Sequence, residues 1–313
     1  MILLLIPILI IIAIYFKFSD SSLSLFFWMR TGLRSEEGHY KGKVVWVVGA
    51  SSGIGEELVL RRADLLEDVA KKCRNINPTL EVKILSMDIT DMDALSSKCK
   101  EANSLFGRKV DIVVLNAGRT QRAEWTDIDP KVDEECFKIN TLGPVQLTRC
   151  LLKQLGLHPT SPNTTDIQIV VISSIASFLP AMLSPSYAAS KAALNAYFRL
   201  LAVEMGEKGV KVSIIAPSLV FVPGITMSAF TDTTGKSNNE VLGQPSPQHM
   251  MPQRAVELIS MAATYEINEC VIATATSHFI FLYLYTLFPG VMTRIINRIG
   301  AEKLRRMRTG REQ

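Results

Sequence analysis

The chain of 313 residues is 48% hydrophobic, with a positive mean hydropathy of +0.21, which suits one sizeable α/β domain plus membrane contact and requires no second domain. The formal charge of +4 is concentrated at the carboxyl end: from Arg294 onward seven Lys or Arg oppose Glu302 and Glu312, so the remainder sums to −1 and offers no basic face to nucleic acid. Five scattered cysteines and four scattered histidines form no C-x-x-C pair and no ligand cluster, which argues for buried thiols and against a metal site or a disulfide framework.

Met1 to Phe16 is uncharged and almost wholly apolar. It lacks the basic start and small-x-small site of a cleaved signal, and it is slightly short of the ~20 residues of a spanning helix. With the second apolar patch Ser22–Met29 it reads as an uncleaved anchor over residues 1–29, followed by a linker over 30–41. Lys17, Arg30, Arg34, Lys41 and Lys43 all follow the run, a bias that would keep the main domain cytoplasmic. The tripeptide Asn163-Thr164-Thr165 tests this, since only a lumenal domain is glycosylated there.

Val44–Val48 is a β-branched and aromatic run bounded by Lys43 and Gly49, the pattern of a strand buried on both faces. Gly49, Gly53 and Gly55 then allow a tight turn and close approach to a ligand, with a helix start beyond to face phosphate oxygens. Val82–Met87 reads as a second buried strand ending at Asp88, and Asp91–Phe106 as a helix. Val110–Leu115 reads as a third strand, ending in Asn116-Ala117-Gly118. Pro130–Leu155 reads as one long helix with Asn140 in its middle, loosened by Gly143-Pro144.

Ile167–Ile172 is the next strand, Tyr187–Gly206 a helix, and Val210–Ala216 a strand. Residues 228–250 are polar and aperiodic, which suggests a substrate lid loop. Pro252–Tyr265 returns to helix and Glu269–Ala275 to strand. The segment 276–313, aromatic from Phe279 to Phe288 and then basic, suits either a helical hairpin on a membrane surface or a core helix with a solvated tail. Alternating strands and helices imply a parallel sheet covered on both faces, with its ligand at the carboxyl ends of the strands, where Gly49, Asp88 and Asn116 fall.

Ser174, Tyr187 and Lys191 carry the chemistry. Tyr and Lys four apart share a helix face, and a nearby ammonium favours the phenolate. A tyrosine so tuned donates a proton to a carbonyl oxygen or takes one from an alcohol, and a serine at the preceding strand's end can bond the same oxygen.

Taken with Gly49-Ala50-Ser51-Ser52-Gly53-Ile54-Gly55, Asn116-Ala117-Gly118 and Asn140, the order of these residues resembles the short-chain dehydrogenase/reductase family over residues 42–275. The anchor and the aromatic, then basic, end are similar to the family's membrane-bound members. The resemblance implies a Rossmann-type, doubly wound parallel sheet and hydride transfer between a nicotinamide cofactor and a carbonyl or alcohol. It implies Tyr187 as general acid/base, Lys191 on the cofactor ribose, Ser174 orienting the substrate, and Asn140 supporting a proton relay. Gly49, Ser51, Ser52, Gly53, Ile54 and Gly55 would cradle the cofactor, with Asp88 on the adenine and Asn116, Ala117 and Gly118 beside the central strand. A homo-oligomer is left open.

Two features depart from the family pattern. Pro217-Ser218 replaces the Pro-Gly whose backbone meets the nicotinamide carboxamide, and Val222 stands where a threonine falls, so beside Pro217 the grip on the nicotinamide is either weaker or made differently, for example by Pro223–Thr226. Second, Arg61 and Arg62 follow the glycine loop too closely for a helical crossover of at least ~10 to 12 residues. So the first βαβ unit is shortened. Either one helix runs from the loop to Arg74, as Ile54, Leu58, Leu65, Val69 and Cys73 on one face and Glu56 and Glu57 in a first turn suggest, or Leu58–Leu60 remains a strand and the helix is lost. Arg61 or Arg62 favours NADP(H) over NAD(H), because a guanidinium suits a phosphate. The expectation is an NADP(H)-dependent oxidoreductase of lipophilic steroid- or retinoid-like substrates at an intracellular membrane, that of the endoplasmic reticulum. The rival is a membrane-tethered binding protein with a crippled cofactor site.

Overall fold

A computed structural model describes residues 15, 19–50, 54, 73, 77, 79–221, 226–230, 237–241, 249–274 and 276–300. In chain order the strands are β1 (Val45–Val48), β2 (Ile112–Leu115), β3 (Thr120–Gln121), β4 (Ile167–Ile172), β5 (Val210–Pro217), β6 (Thr226–Phe230), β7 (Ser237–Val241) and β8 (Glu269–Ile272). The helices are α1 (Leu23–Thr31), α2 (Glu36–Tyr40), α3 (Leu95–Ser104), α4 (Pro130–Phe137), α5 (Gly143–Gln154), α6 (Pro185–Met205), α7 (Pro252–Thr264), α8 (Thr276–Leu287) and α9 (Pro289–Ile299).

Parallel pairing in the order β1-β2-β4-β5-β8 makes one sheet. Its strands are nearly continuous apolar runs because both faces are covered, and successive side chains go to opposite sides. Ile169 and Val171 enter a cluster with Leu95 of α3, Leu147 of α5 and Leu194 of α6. Val170 and Ile172 enter another with Leu25 of α1 and Leu258 and Ile259 of α7. The carboxyl ends of β2, β4 and β5 therefore open between two helical layers, and the site lies there.

Several expectations need correction. Val82–Met87 forms no strand; it runs as an irregular segment whose Leu85 and Met87 pack on the first cluster and whose Ile84 packs near Ala50. In a doubly wound sheet a further strand separates such a segment from β1, and among the described residues no strand stands there for it to pair with. Among the described residues every strand of the sheet consequently lies to one side of β1, which forms an edge. Ile54 and Cys73 are both helical; residues 55–72, on which the choice between the two rearrangements turns, Leu58–Leu60 among them, lie outside the described residues.

The expected helix Pro130–Leu155 is α4 and α5 joined by a π-helical turn, Lys138–Leu142, that carries Asn140. The polar stretch 228–250 is not wholly a loop: β6 and β7 pair antiparallel, and β6 pairs parallel with β3. Residues 30–41 contain α2 rather than a bare linker, capped by Ser35, whose Oγ accepts from Gly38 N. The patch Ser22–Met29 is largely α1, which buries Leu25 and lays Met29 against the second cluster. The anchor run Met1–Phe16 lies outside the described residues apart from Tyr15. No described helix is long and apolar enough to cross a membrane.

Candidate active site

Gly49 ends β1 at φ +84°, and a β-carbon there would fall 2.3 Å from Ala117 Cα, so only glycine lets the two turns touch. Asn116 fastens the contact: its backbone N–H donates to Val48 O at 2.9 Å and its Nδ2 to Gly49 O at 2.7 Å. Gly118 is equally confined. A β-carbon on it would lie 3.0 Å from Asn140 Oδ1 and 3.3 Å from Lys191 Nζ. The Asn-Ala-Gly turn thus brings the glycine loop, Asn140 and Lys191 into one place.

Asn140 is fully buried in the π-helical turn, a widening of the helix often found at functional sites. Its Nδ2 donates to Arg119 O and to Ser190 Oγ, each at 2.9 Å, and its Oδ1 accepts from Arg119 N at 2.8 Å. The amide is therefore a clamp on the backbone after Gly118. Ser190 Oγ donates in turn to Tyr187 O at 2.8 Å, which ties the clamp to the first turn of α6.

Lys191 is buried, and its Nζ donates to Ile172 O at 2.9 Å, its only acceptor among the described residues. Burial lowers its pKa to about 8. The positive charge that would favour a phenolate at Tyr187 is therefore itself given up near pH 8. Tyr187 is half-buried one turn earlier on the same helix. Ser174, just past β4, caps the 3-10 turn Ile175–Ser177, its Oγ accepting from Ala176 N at 3.2 Å. That bond uses an oxygen lone pair and leaves the hydroxyl hydrogen for a second oxygen.

Two further residues complete this arrangement and escaped the sequence reading. Asn195 Nδ2 donates to Ser177 Oγ at 2.8 Å, and Ser177 Oγ donates to Ser174 O at 2.6 Å. The available signal was spacing: Tyr187, Lys191 and Asn195 recur every four residues on one helix face.

The remaining sequence candidates divide. Asp88 is exposed, and its Oδ1 accepts from the N–H and the hydroxyl of Thr90, both at 2.8 Å, in a local turn. Pro217 is buried at the end of β5 and Ser218 follows it. Ser51, Ser52, Gly53, Gly55, Arg61, Arg62 and Val222 lie outside the described residues, and Ile54 packs on the second cluster. Fit to a dinucleotide can be judged on the nicotinamide side. Lys191 Nζ has donors to spare, and Ser218 Oγ is a buried atom with no partner among the described residues, so a ribose diol and a carboxamide would satisfy these under-used groups.

A parallel α/β sheet whose strand ends gather a glycine turn, an Asn-Ala-Gly turn, a serine and a Tyr-x-x-x-Lys helix defines a nicotinamide-dependent oxidoreductase of Rossmann type. A family profile described as short chain dehydrogenase matches residues 43–233. The chain belongs to the short-chain dehydrogenase/reductase family.

The mouse protein dehydrogenase/reductase SDR family member 7 is 31% identical over 306 residues, spanning 91% of this chain and 86% of that protein. The human protein of the same name is 30% identical over 312 residues, spanning 93% and 87%. Among solved structures, a short-chain dehydrogenase from Streptomyces avermitilis matches with TM-score 0.58 at 24% identity, over 86% of this chain and 98% of that one. An alcohol dehydrogenase from the archaeon Thermococcus sibiricus, complexed with 5-hydroxy-NADP, matches with TM-score 0.59 at 20% identity, over 75% and 97%. These two share the fold.

Proposed function

We propose that the protein is an NADP(H)-dependent reductase or dehydrogenase of lipophilic carbonyls or alcohols, steroid- or retinoid-like in character. The single observation that carries the reading is that Lys191 Nζ, packed beside Gly118, is bonded to Ile172 O at the end of β4, two residues before Ser174, with Tyr187 one turn earlier on the lysine's helix. A bound nicotinamide supplies the hydride donor or acceptor. The chain's own part is protonic and positional. Tyr187 hands a proton to the carbonyl oxygen, or takes one from the alcohol, while the Ser174 hydroxyl hydrogen bonds the same oxygen. Lys191, anchored on Ile172 O, keeps a positive charge beside the tyrosine below about pH 8. Asn140 holds the turn that flanks both. The preference for NADP(H) rests on Arg61 and Arg62, and the lipophilic substrate on the apolar ends of the sequence.

A second reading, a binding protein without turnover, draws on one observation: among the described residues β1 forms the sheet edge, where a dinucleotide fold continues to support the adenosine. Titration with NADPH, followed through Trp46 and the other tryptophans, separates the two. Saturable binding together with reduction of an aldehyde or ketone that Tyr187→Phe abolishes supports the enzyme and excludes the rival. Failure to saturate at millimolar cofactor overturns the enzyme.

A further inference from the structure

Helices α8 and α9 form a hairpin whose outer face is apolar. Ile280, Leu284 and Leu287 recur at i, i+4 and i+7 on α8, and Val291, Ile295 and Ile299 at i, i+4 and i+8 on α9. All six are exposed, Leu287 by 69% and Val291 by 55%. Inward contacts are few: Phe279 and Leu282 of α8 and Met292 of α9 are the buried residues of the pair. A hairpin that buries three side chains and exposes an apolar stripe on each of its helices is built to be covered.

Two observations identify the cover. The first is charge. Residues 276–300 contain no Asp or Glu, Arg294 and Arg298 flank the α9 stripe, and five more Lys or Arg follow between 301 and 313. An apolar face bordered by cations suits an anionic lipid surface. The second is where the apolar amino-terminal run joins the domain. Tyr15 packs 6.2 Å from the Phe279 ring and its hydroxyl lies 3.0 Å from Tyr283 Oη, both on α8. Tyr15, the described residue of the uncharged stretch Met1–Phe16, therefore sits against the root of the same hairpin.

We propose that the α8–α9 hairpin lies in the lipid–water interface of an anionic membrane, as a second attachment beside the amino-terminal segment. The apolar stripes enter the acyl boundary, and Arg294 and Arg298 meet phosphate headgroups. This attachment is independent of any cofactor and so of the catalytic reading.

The test uses the full chain in phosphatidylcholine–phosphatidylserine vesicles. An environment-sensitive fluorophore is attached at Ile295→Cys or Leu284→Cys, in a background with Cys73→Ser and Cys150→Ser. The remaining thiols, Cys99, Cys136 and Cys270, are buried with pKa values pushed up to about 12 and do not compete for the label. A label at Glu207→Cys, exposed before β5 at the opposite end of the sheet, is the reference.

The expected result is blue-shifted emission and strong quenching by a shallow lipid-borne nitroxide at 284 and 295, with iodide effective only at 207. Combined Arg294→Gln and Arg298→Gln weakens docking about fivefold per charge removed. Iodide access at 284 and 295 equal to that at 207 overturns the proposal. So does protection without vesicles, whether it rises with protein concentration, which would mean a second copy, or not, which would mean a segment of the same chain.

Discussion

Asn195 Nδ2 donates to Ser177 Oγ at 2.8 Å, and Ser177 in turn grips the carbonyl of Ser174. One helix thus carries Tyr187, Lys191 and the residue that holds the serine turn, so the spacing between phenol and serine hydroxyl is set by α6.

Asn195→Leu should separate positioning from folding. It removes one hydrogen bond, but also a buried Oδ1 that has no partner among the described residues, so stability should change by no more than about 1 kcal/mol. Turnover should fall about tenfold or more, because reacting groups lose alignment. Chemical denaturation and steady-state kinetics on the same preparation check the pair. A loss of stability without loss of kcat would refute the positioning role.

Lys191→Met should raise stability while ending activity. A buried ammonium with one acceptor is disfavoured, and replacement by an apolar side chain of similar length stabilises unliganded protein by about 1–3 kcal/mol. The advantage should shrink with pH. The unfolded lysine titrates near 10.5 and the folded one near 8, so between these values the unfolded chain binds more protons and wild-type stability rises with pH. A shift of that size corresponds to a difference on the order of 3 kcal/mol between pH 7 and pH 10.5. Urea midpoints of both proteins across that range measure it.

Gly49→Ala should be among the most damaging single substitutions. Its φ of +84° costs an L-residue about 1–2 kcal/mol, and a β-carbon 2.3 Å from Ala117 Cα forces the two turns apart. Loss of more than about 3 kcal/mol is expected, with loss of NADPH binding in whatever remains folded. Far-ultraviolet dichroism on heating and the fluorescence titration report the two effects.

Thiol reactivity should divide the cysteines two against three. Burial pushes Cys99, Cys136 and Cys270 up to about 12, whereas Cys73 and Cys150 are partly accessible. At pH 8 an Ellman-type reagent should modify at most the latter two in native protein and all five in denaturant, as absorbance shows directly.

What the sequence determined by itself was local or strongly periodic. Ile167–Ile172 was legible to the residue because five apolar, β-branched positions out of six, interrupted only by Gln168 and bounded by polar residues, admit little else. The Tyr187–Lys191 pairing followed from helical spacing, and the glycine at 49 from the need for a tight turn. Tertiary structure decided what depends on neighbours. Val82–Met87 has the residues of a strand but forms none, since strand formation requires a sheet edge at the right place and not only a β-branched run. The polar stretch after β5 looked aperiodic, yet the backbone pairing of β6 with β3 and β7 organises part of it. The π-helical turn that buries Asn140 arises where α4 must pack against α6 and α5 against α3, a demand no single helix carries in its own pattern. Lys191 is the sharpest case. Its position four residues after Tyr187 is a fact of sequence, but its lowered pKa exists only because the fold closes apolar layers around it and leaves one carbonyl in reach.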